Sequence, residues 1–185
     1  FLKFKILPIR NYTNNKKKPM KLIIGIPTIN RADLLNEALA NYFEDFKNTE
    51  IVICDNGKQE IITREKNFVI YKPENNLGVS GSWNMIMDYA EKAKANHVLM
   101  LNDDIYLGKS EEEIKTIIRL WNPEFLCTEL NWCSFILSVD AYLKVGKFDE
   151  NFFPAYFEDN DYFRRMLLTG VNITTATGLT FNAGT

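Results

Sequence analysis

Short apolar segments that alternate with amphipathic ones constrain the fold of this chain more than any other feature. The apolar segments are brief and have no polar face, as in parallel strands buried on both sides. The four clearest cover 21–27, 50–54, 68–72 and 97–101, and two further strands are predicted at 124–128 and 133–139. Segments with helical periodicity follow the first, third and fourth strands. This order predicts an α/β layered domain with a mainly parallel, mixed sheet and right-handed crossovers.

Polar and turn-forming residues stand where three of these strands end. They are Pro27 and Thr28 at the first strand, Asp55 and Asn56 at the second, and Asn102, Asp103 and Asp104 at the fourth. In open α/β sheets, ligands bind beyond the carboxyl ends of the strands. We therefore expect these side chains to converge on one edge of the sheet and to form a binding site there.

The adjacent carboxylates of Asp103 and Asp104 favour a metal ion at this edge. Burying an unpaired carboxylate is costly, and two side by side raise each other's pKa unless a cation neutralises them. Mg²⁺ and Mn²⁺ prefer oxygen ligands and also bind a diphosphate. An exposed acidic turn is the alternative interpretation, and the pair alone favours neither.

A second acidic cluster opens a predicted helix near residue 158. Its acids are Glu158, Asp159 and Asp161, and the predicted apolar face contains Phe163, Met166 and Leu167. Acids stabilise a helix N-terminus, and Arg164 and Arg165 follow at pairing distance, so a purely structural role is favoured for the cluster taken alone. In the functional alternative, one carboxylate acts as a general base toward an acceptor hydroxyl.

Composition excludes several classes of protein. The formal net charge of −2 over 185 residues gives no electrostatic reason to expect a nucleic-acid partner. The sequence contains no run of about 18 apolar residues, so we expect no integral membrane segment. Three cysteines without a CxxC pattern indicate a reducing compartment, so we expect a cytoplasmic protein.

The domain organisation is predicted to be simple. Residues 1–19 are expected to be an N-terminal extension or linker, and 20–185 a single catalytic domain that is truncated at its C-terminus. The lysines at 16–18 fit a solvated linker. Peripheral contact with the inner face of a membrane is the less favoured alternative.

The order of these segments resembles the family 2 glycosyltransferases, which have the Rossmann-like GT-A (nucleotide-diphospho-sugar transferase) fold. The resemblance covers about residues 20 to 185 and is carried by IIGIPTINRADLLNEAL, IVICDNG, ENNLGVSGSWNMIMDYA, LMLNDDIYL and GKFDENFFPAYFEDNDYFRRMLLTG. It implies that the donor is bound by Pro27, Thr28, Asn30, Arg31, Asp55, Asn56, Gly78, Asn84, Asn102 and Asp103. Gly78 and Gly81 either let the backbone approach the donor or serve close packing.

LMLNDDIYL stands where the family carries its metal-binding DxD motif, although the first position here is Asn102 rather than Asp. The Asn-Asp-Asp sequence is close to the Asn-Asn-Asp form of rhamnosyltransferase-like members. The resemblance implies that Asp104, with help from Asp103, binds Mn²⁺ or Mg²⁺. Many members also carry a late histidine that helps to hold the metal or the diphosphate, and Asn182 lies near that place.

GKFDENFFPAYFEDNDYFRRMLLTG is the most specific match, and it assigns the catalytic residues. The catalytic base of the family maps to Asp159, with Glu158 and Asp161 positioning it or the acceptor. Arg165 is expected to brace this cluster on the acceptor side. Trp132 either stacks on an acceptor sugar or belongs to the edge of the core.

The resemblance implies a metal-dependent, inverting transfer of a sugar from a nucleotide-diphosphate donor to a glycan or another hydroxyl acceptor. One alternative is a nucleotidyltransferase that makes nucleotide sugars, which pyrophosphate release from a nucleoside triphosphate would reveal. The other is a non-catalytic glycan- or nucleotide-binding module, which would fail to hydrolyse a donor in the presence of Mn²⁺.

Overall fold

A computed structural model describes residues 20–42, 45–63, 67–128 and 130–182 of the chain, and leaves out the side chains of Phe181 and Asn182. The nine strands are β1 (Leu22–Thr28), β2 (Glu50–Asp55), β3 (Phe68–Tyr71), β4 (His97–Leu101), β5 (Ile105–Leu107), β6 (Phe125–Thr128), β7 (Asn131–Ser138), β8 (Ile173–Thr175) and β9 (Thr180–Asn182). The five helices are α1 (Ala32–Tyr42), α2 (Gly78–Lys92), α3 (Glu111–Trp121), α4 (Val139–Val145) and α5 (Glu158–Leu168). Both counts refer to the described residues. The predicted extension at 1–19 and the role suggested for the Asn182 side chain lie outside them.

The main sheet has seven strands in the order β3-β2-β1-β4-β7-β6-β8. Strand β1 is third in this order and pairs in parallel with both β2 and β4, while β7 is antiparallel to β4 and to β6. The predicted α/β architecture with a mainly parallel, mixed sheet is therefore confirmed. Strands β5 and β9 form a separate antiparallel pair.

Two apolar layers cover the two faces of this sheet. Alternate residues of β1 point to opposite faces, so that Ile24 packs with helices α1 and α3 on one side and Ile23 packs with α2 and α5 on the other. The side chains that contact these faces include Leu35 and Leu39 of α1, Ile114 and Ile118 of α3, Trp83 and Ile86 of α2, and Tyr162 and Met166 of α5. Helices on both faces leave the strand ends open for a site.

The structure differs from the sequence prediction in two respects. No range was predicted for β5, β8, β9 or α4, because segments of three to seven residues carry little periodic signal. In α5 the buried residues are Glu158, Tyr162 and Met166, whereas Phe163 and Leu167 are exposed. The predicted apolar face of this helix is therefore wrong for two of its three residues. The buried face begins at the carboxylate of Glu158 instead.

The described residues contain no helix that is both long enough and apolar enough to cross a membrane. The cellular location proposed from the cysteines stays a prediction.

Gly25 in β1 gives a direct test of the packing between β1 and α2. A Cβ atom there would lie 2.5 Å from Ile86 Cγ2 and 3.0 Å from Met100 Sδ. We expect Gly25→Ala to lower the free energy of unfolding by about 1–3 kcal/mol, because the core must shift to admit the methyl group. Urea denaturation measures the change. Gly170→Asn, at a left-handed position with no atom within 4 Å, is the control and should be nearly neutral.

Candidate active site

A hydrogen bond joins the tips of the neighbouring strands β1 and β4. The Thr28 hydroxyl donates to Asp103 Oδ2 over 2.8 Å, and Gln59 Nε2 donates to the same hydroxyl oxygen over 2.8 Å. Asp103 is only 6% exposed. Thr28 therefore receives one hydrogen bond and donates one, which fixes its orientation and holds a buried carboxylate at the end of β4.

Arg31 supplies the cation that the two adjacent carboxylates need. Its Nη1 lies 3.4 Å from Asp103 Oδ1, and its Nη2 lies 3.1 Å from Asp104 Oδ2. Burial raises the pKa of Asp103, while the Thr28 hydroxyl and the Arg31 guanidinium oppose that rise. The sequence predicted a divalent metal ion at this pair, and that ion stays a prediction. In the structure, the guanidinium of Arg31 pairs with both carboxylates.

The tip of β2 carries a second buried carboxylate. Asp55 is fully buried, accepts a hydrogen bond from the Gly57 amide over 3.1 Å, and lies 3.4 Å from Lys72 Nζ. Sequence analysis missed Lys72, although a signal existed. Lys72 directly follows β3, which is the parallel neighbour of β2, so both residues stand at the same edge of the sheet.

Asn56 joins the strand tips to the start of α2. Its backbone amide donates to the Thr28 carbonyl over 2.9 Å, and its side-chain amide donates to Ser82 Oγ over 2.9 Å. Asn56 Oδ1 accepts a hydrogen bond from the Leu77 amide over 2.8 Å. These bonds place the first turn of α2 beside the ends of β1 and β2.

The start of α2 is joined in turn to the segment that precedes α5. The Val79 amide donates to the Pro154 carbonyl over 2.9 Å. Gly78 has φ +68°, and a Cβ atom there would lie 2.8 Å from the same carbonyl oxygen, so this position needs glycine. A Cβ at Gly81 would lie 3.0 Å from Leu77 Cβ. The structure thus shows a packing role for both glycines, and donor contact stays a prediction.

Asn84 further fastens α2 to the chain around residue 148. Its Nδ2 donates to the Phe148 carbonyl over 3.0 Å and to Glu150 Oε1 over 2.8 Å. Its Oδ1 accepts from the Phe148 amide over 2.8 Å and from the Tyr142 hydroxyl over 3.3 Å. These four bonds hold the side chain within the protein, and its predicted contact with the donor is untested.

The three acids at the start of α5 have different surroundings. Glu158 is 7% exposed, and burial raises its pKa. Asp159 is partly exposed and accepts a hydrogen bond from the Asn160 amide over 2.7 Å. Asp161 pairs with Arg165 Nη2 over 2.7 Å. Asp159 therefore keeps access to solvent, whereas Asp161 is held by a cation one turn away.

Arg165 contacts both α5 and the segment after α4. Its Nη1 donates to the Lys147 carbonyl over 2.9 Å, and its guanidinium lies 4.8 Å from the ring centre of Tyr162. The guanidinium therefore joins α5 to the segment after α4. Contact between Arg165 and an acceptor stays a prediction.

Two neighbouring residues of β7, Cys133 and Trp132, join the tip of β4 to α5 by a second route. The Asn102 amide donates to the carbonyl of Cys133, the neighbour of Trp132, over 2.9 Å. The Trp132 ring lies 6.4 Å from the ring of Tyr162, one turn beyond Glu158. It is itself partly buried and packs against the buried rings of Trp83, Phe125, Phe135 and Phe148. The contacts through α2 and those through β7 connect the elements that carry the two acidic clusters, and a cleft shared by both clusters stays a prediction.

Asp103 and Asp104 are suitable ligands for a hard divalent ion. Such ions are often bound by one or two carboxylates together with substrate phosphates. Within 20–42, 45–63, 67–128 and 130–182, no group of three histidine, cysteine or acidic side chains is arranged to hold a metal. A metal at this position would therefore need ligands from the diphosphate as well. Neutralisation by Arg31 indicates that the metal would compete with an existing ion pair.

A cavity of about 440 Å³ lies at the opposite edge of the sheet. His97, Glu124 and Asn172 are among its lining residues, together with Ala95, Asn96, Asn122, Pro123, Ser138 and Asp140. None of the predicted site residues lines it. The strand tips, where the paired carboxylates lie, are therefore the candidate site, and this cavity is separate from it.

The chain is similar in structure to several glycosyltransferases. It matches Staphylococcus aureus TarS with a TM-score of 0.67 and 14% identity, over 89% of this chain and 37% of TarS. It matches the mannosyltransferase PcManGT from Pyrobaculum calidifontis with a TM-score of 0.65 and 12% identity, over 92% and 58% of the two chains. A Drosophila β1,4-galactosyltransferase 7 matches with a TM-score of 0.59 and 10% identity, over 85% and 65%. The fold is therefore GT-A, and the chain spans about a third to two thirds of these proteins.

The model of glycosyl transferase family 2 matches residues 23–122, which is more than half of the 185 residues. The chain belongs to this family. A search of curated proteins gave no match. The matched region includes the strand tips with Thr28, Asp55 and Asp104, and it ends before the acids of α5.

The buried carboxyl of Glu158 predicts a pH dependence of stability. Because its pKa is raised in the folded state, the wild-type chain is most stable relative to Glu158→Gln below the unfolded-state pKa of about 4.3. We expect this relative stability to fall as the pH rises through the raised folded-state pKa. Urea denaturation of both proteins between about pH 3 and pH 8 measures it.

Glu112→Gln, on the exposed face of α3, is the control for this titration and should show no comparable trend. A constant difference between wild type and Glu158→Gln across the whole range would contradict the burial argument.

Proposed function

We propose that this chain is the catalytic domain of a metal-dependent, inverting glycosyltransferase. It transfers a sugar from a nucleotide-diphosphate donor to the hydroxyl of an acceptor. The observation that carries the proposal is the pair Asp103 and Asp104 at the tip of β4 in a family 2 chain, held by Thr28 and Arg31. The contacts through α2 and through β7, which join the end of β4 to the region of α5, add support.

The donor side consists of the tips of β1, β2 and β4. Asp55 and Asn56 are proposed to contact the base and ribose, and Thr28 with Asn102 to line the nucleotide. A divalent cation held by Asp104 and Asp103 would neutralise the negative charge that develops on the leaving diphosphate. Mn²⁺ is the first candidate, because PcManGT was solved with GDP-Man and Mn²⁺ and a galactosyltransferase 7 with manganese and UDP-Gal.

The acceptor side is the start of α5. Asp159 is proposed as the general base, because its carboxylate is partly exposed and carries no ion pair among the described residues. It removes the proton from the acceptor hydroxyl while that oxygen attacks the anomeric carbon from the face opposite the diphosphate. Glu158 positions the acceptor hydroxyl, and the Asp161–Arg165 pair holds the helix in place.

The metal proposal predicts opposite effects for two variants of one ion pair. Asp104→Ala should abolish Mn²⁺-dependent binding of UDP or GDP, because a principal ligand is lost. Arg31→Gln should instead raise the affinity for Mn²⁺ alone by about tenfold, since the competing cation is removed. Isothermal titration of each protein with MnCl₂, with and without nucleotide, measures both effects.

Lys72→Gln is the matched control, because Lys72 is as exposed as Arg31 and pairs with the buried carboxylate of Asp55. This variant should leave the affinity for Mn²⁺ unchanged. Equal binding of nucleotide by wild type and Asp104→Ala, with and without Mn²⁺, would refute the metal site.

The general-base proposal predicts a loss of turnover without a loss of donor binding. Asp159→Asn should slow sugar transfer by about 10²-fold or more, because the acceptor proton has no base to take it. Affinity for the nucleotide should stay within about twofold of wild type. Single-turnover assays with a radiolabelled donor measure the transfer step, and near-normal turnover would assign the base to another residue.

A further inference from the structure

The segment that leads into α5 exposes three aromatic side chains in a row of five residues. Phe153 is 58% exposed, Tyr156 79% and Phe157 68%. Large apolar surface of this kind on a protein marks a site of interaction. The segment ends where the acids of α5 begin, so its surface is continuous with the proposed acceptor side.

The backbone holds two of these rings in an unusual conformation. Tyr156 has φ +81° and Phe157 has φ +72°, which bulky side chains rarely adopt. Strained residues of this kind cluster at ligand-binding sites. Here they turn the chain into α5, so that the rings of Tyr156 and Phe157 stay in solvent while the next side chain, Glu158, is buried.

The aromatic segment is fixed to the donor half of the site. The Pro154 carbonyl accepts the Val79 amide, and the Phe153 ring lies close against Gly78. Both contacts are at the start of α2, which Asn56 ties to the strand tips. An acceptor bound on this segment would therefore be held in a fixed position relative to the donor.

Glu158 adds a hydrogen-bonding group beside the rings. Glu158 is only 7% exposed, and its Oε2 has no hydrogen-bond partner within the part of the chain that the structure describes. Unpaired buried oxygens are rare because they lose their bonds to water. A ligand hydroxyl is a suitable partner for it.

Flat aromatic surface beside a carboxylate fits a sugar ring, whose C–H face is apolar and whose edge carries hydroxyl groups. An acyl chain would use the rings and leave the carboxylate unpaired. An anionic acceptor would be repelled by the carboxylate of Asp159, which carries no ion pair among the described residues, and would not pair with Glu158. We propose that Tyr156 and Phe157 form a platform for a neutral glycan acceptor, one hydroxyl of which bonds to Glu158. This inference rests on the proposed function and names its acceptor class.

Saturation-transfer NMR on the full chain tests the platform. The probes are cellobiose, lactose, mannobiose and N,N′-diacetylchitobiose, with sodium octanoate as an apolar probe and UDP or GDP with Mn²⁺ as donor-side probes. We expect transfer to the ring C–H protons of at least one disaccharide. Tyr156→Asn and Phe157→Asn should each weaken that binding by about tenfold, because asparagine tolerates the left-handed backbone but removes the ring.

Two further variants separate loss of the rings from loss of the fold. Tyr156→Phe keeps an aromatic face and should bind the sugar within about threefold of wild type. Leu168→Ala changes an equally exposed apolar residue at the far end of α5 and should bind as wild type does. Nucleotide binding should be unchanged in all four variants, so a failure of the donor site is recognised separately.

Three outcomes would overturn the platform. They are no transfer to any disaccharide, unchanged sugar affinity in both asparagine variants, and binding of octanoate in place of the sugars.

Discussion

The burial of Asp103 at the tip of β4 is the constraint on which the candidate site depends. A carboxylate that is removed from water costs several kcal/mol unless it is paired and hydrogen-bonded. Thr28 and Arg31 supply those partners from a point about 75 residues earlier in the chain. They reach Asp103 only because β1 and β4 are parallel neighbours whose carboxyl ends lie at one edge. The pairing of the buried carboxylate therefore depends on the order of the strands in the sheet.

The same arrangement occurs twice along this edge. Asp55 and Asp103 are both buried, and each is paired with a cation that is about half exposed, Lys72 in one case and Arg31 in the other. A nucleotide diphosphate with its metal carries charges of both signs. Before the donor binds, each buried carboxylate is neutralised by its neighbouring cation. In the proposed function, binding of the donor replaces these internal ion pairs with pairs to the ligand.

Most strands of the main sheet and the polar residues at their ends could be predicted from the sequence, because buried parallel strands have a clear apolar pattern that polar residues terminate. The pairing of Asp161 with Arg165 also followed from helical spacing. The bridging role of Arg31 was not predicted, because it depends on the side chain turning back over β4. The buried face of α5 was predicted incorrectly, because it consists of Glu158, Tyr162 and Met166, and apolar patterning does not select a row that begins with a carboxylate. The aromatic segment at 153–157 was missed as well, since exposure cannot be inferred from composition.

Paramagnetic broadening by Mn²⁺ in the ¹⁵N-labelled chain tests most directly whether the acids of β4 and those of α5 share one cleft. With Mn²⁺ and UDP or GDP bound, we expect the amide signals of Asp104 and of Asp159 to broaden together. The signals of Asn96 and Asn172, at the opposite edge of the sheet, should stay sharp. Broadening at Asp104 with a sharp signal at Asp159 would show that the two acidic clusters do not act on one donor, and would contradict the account.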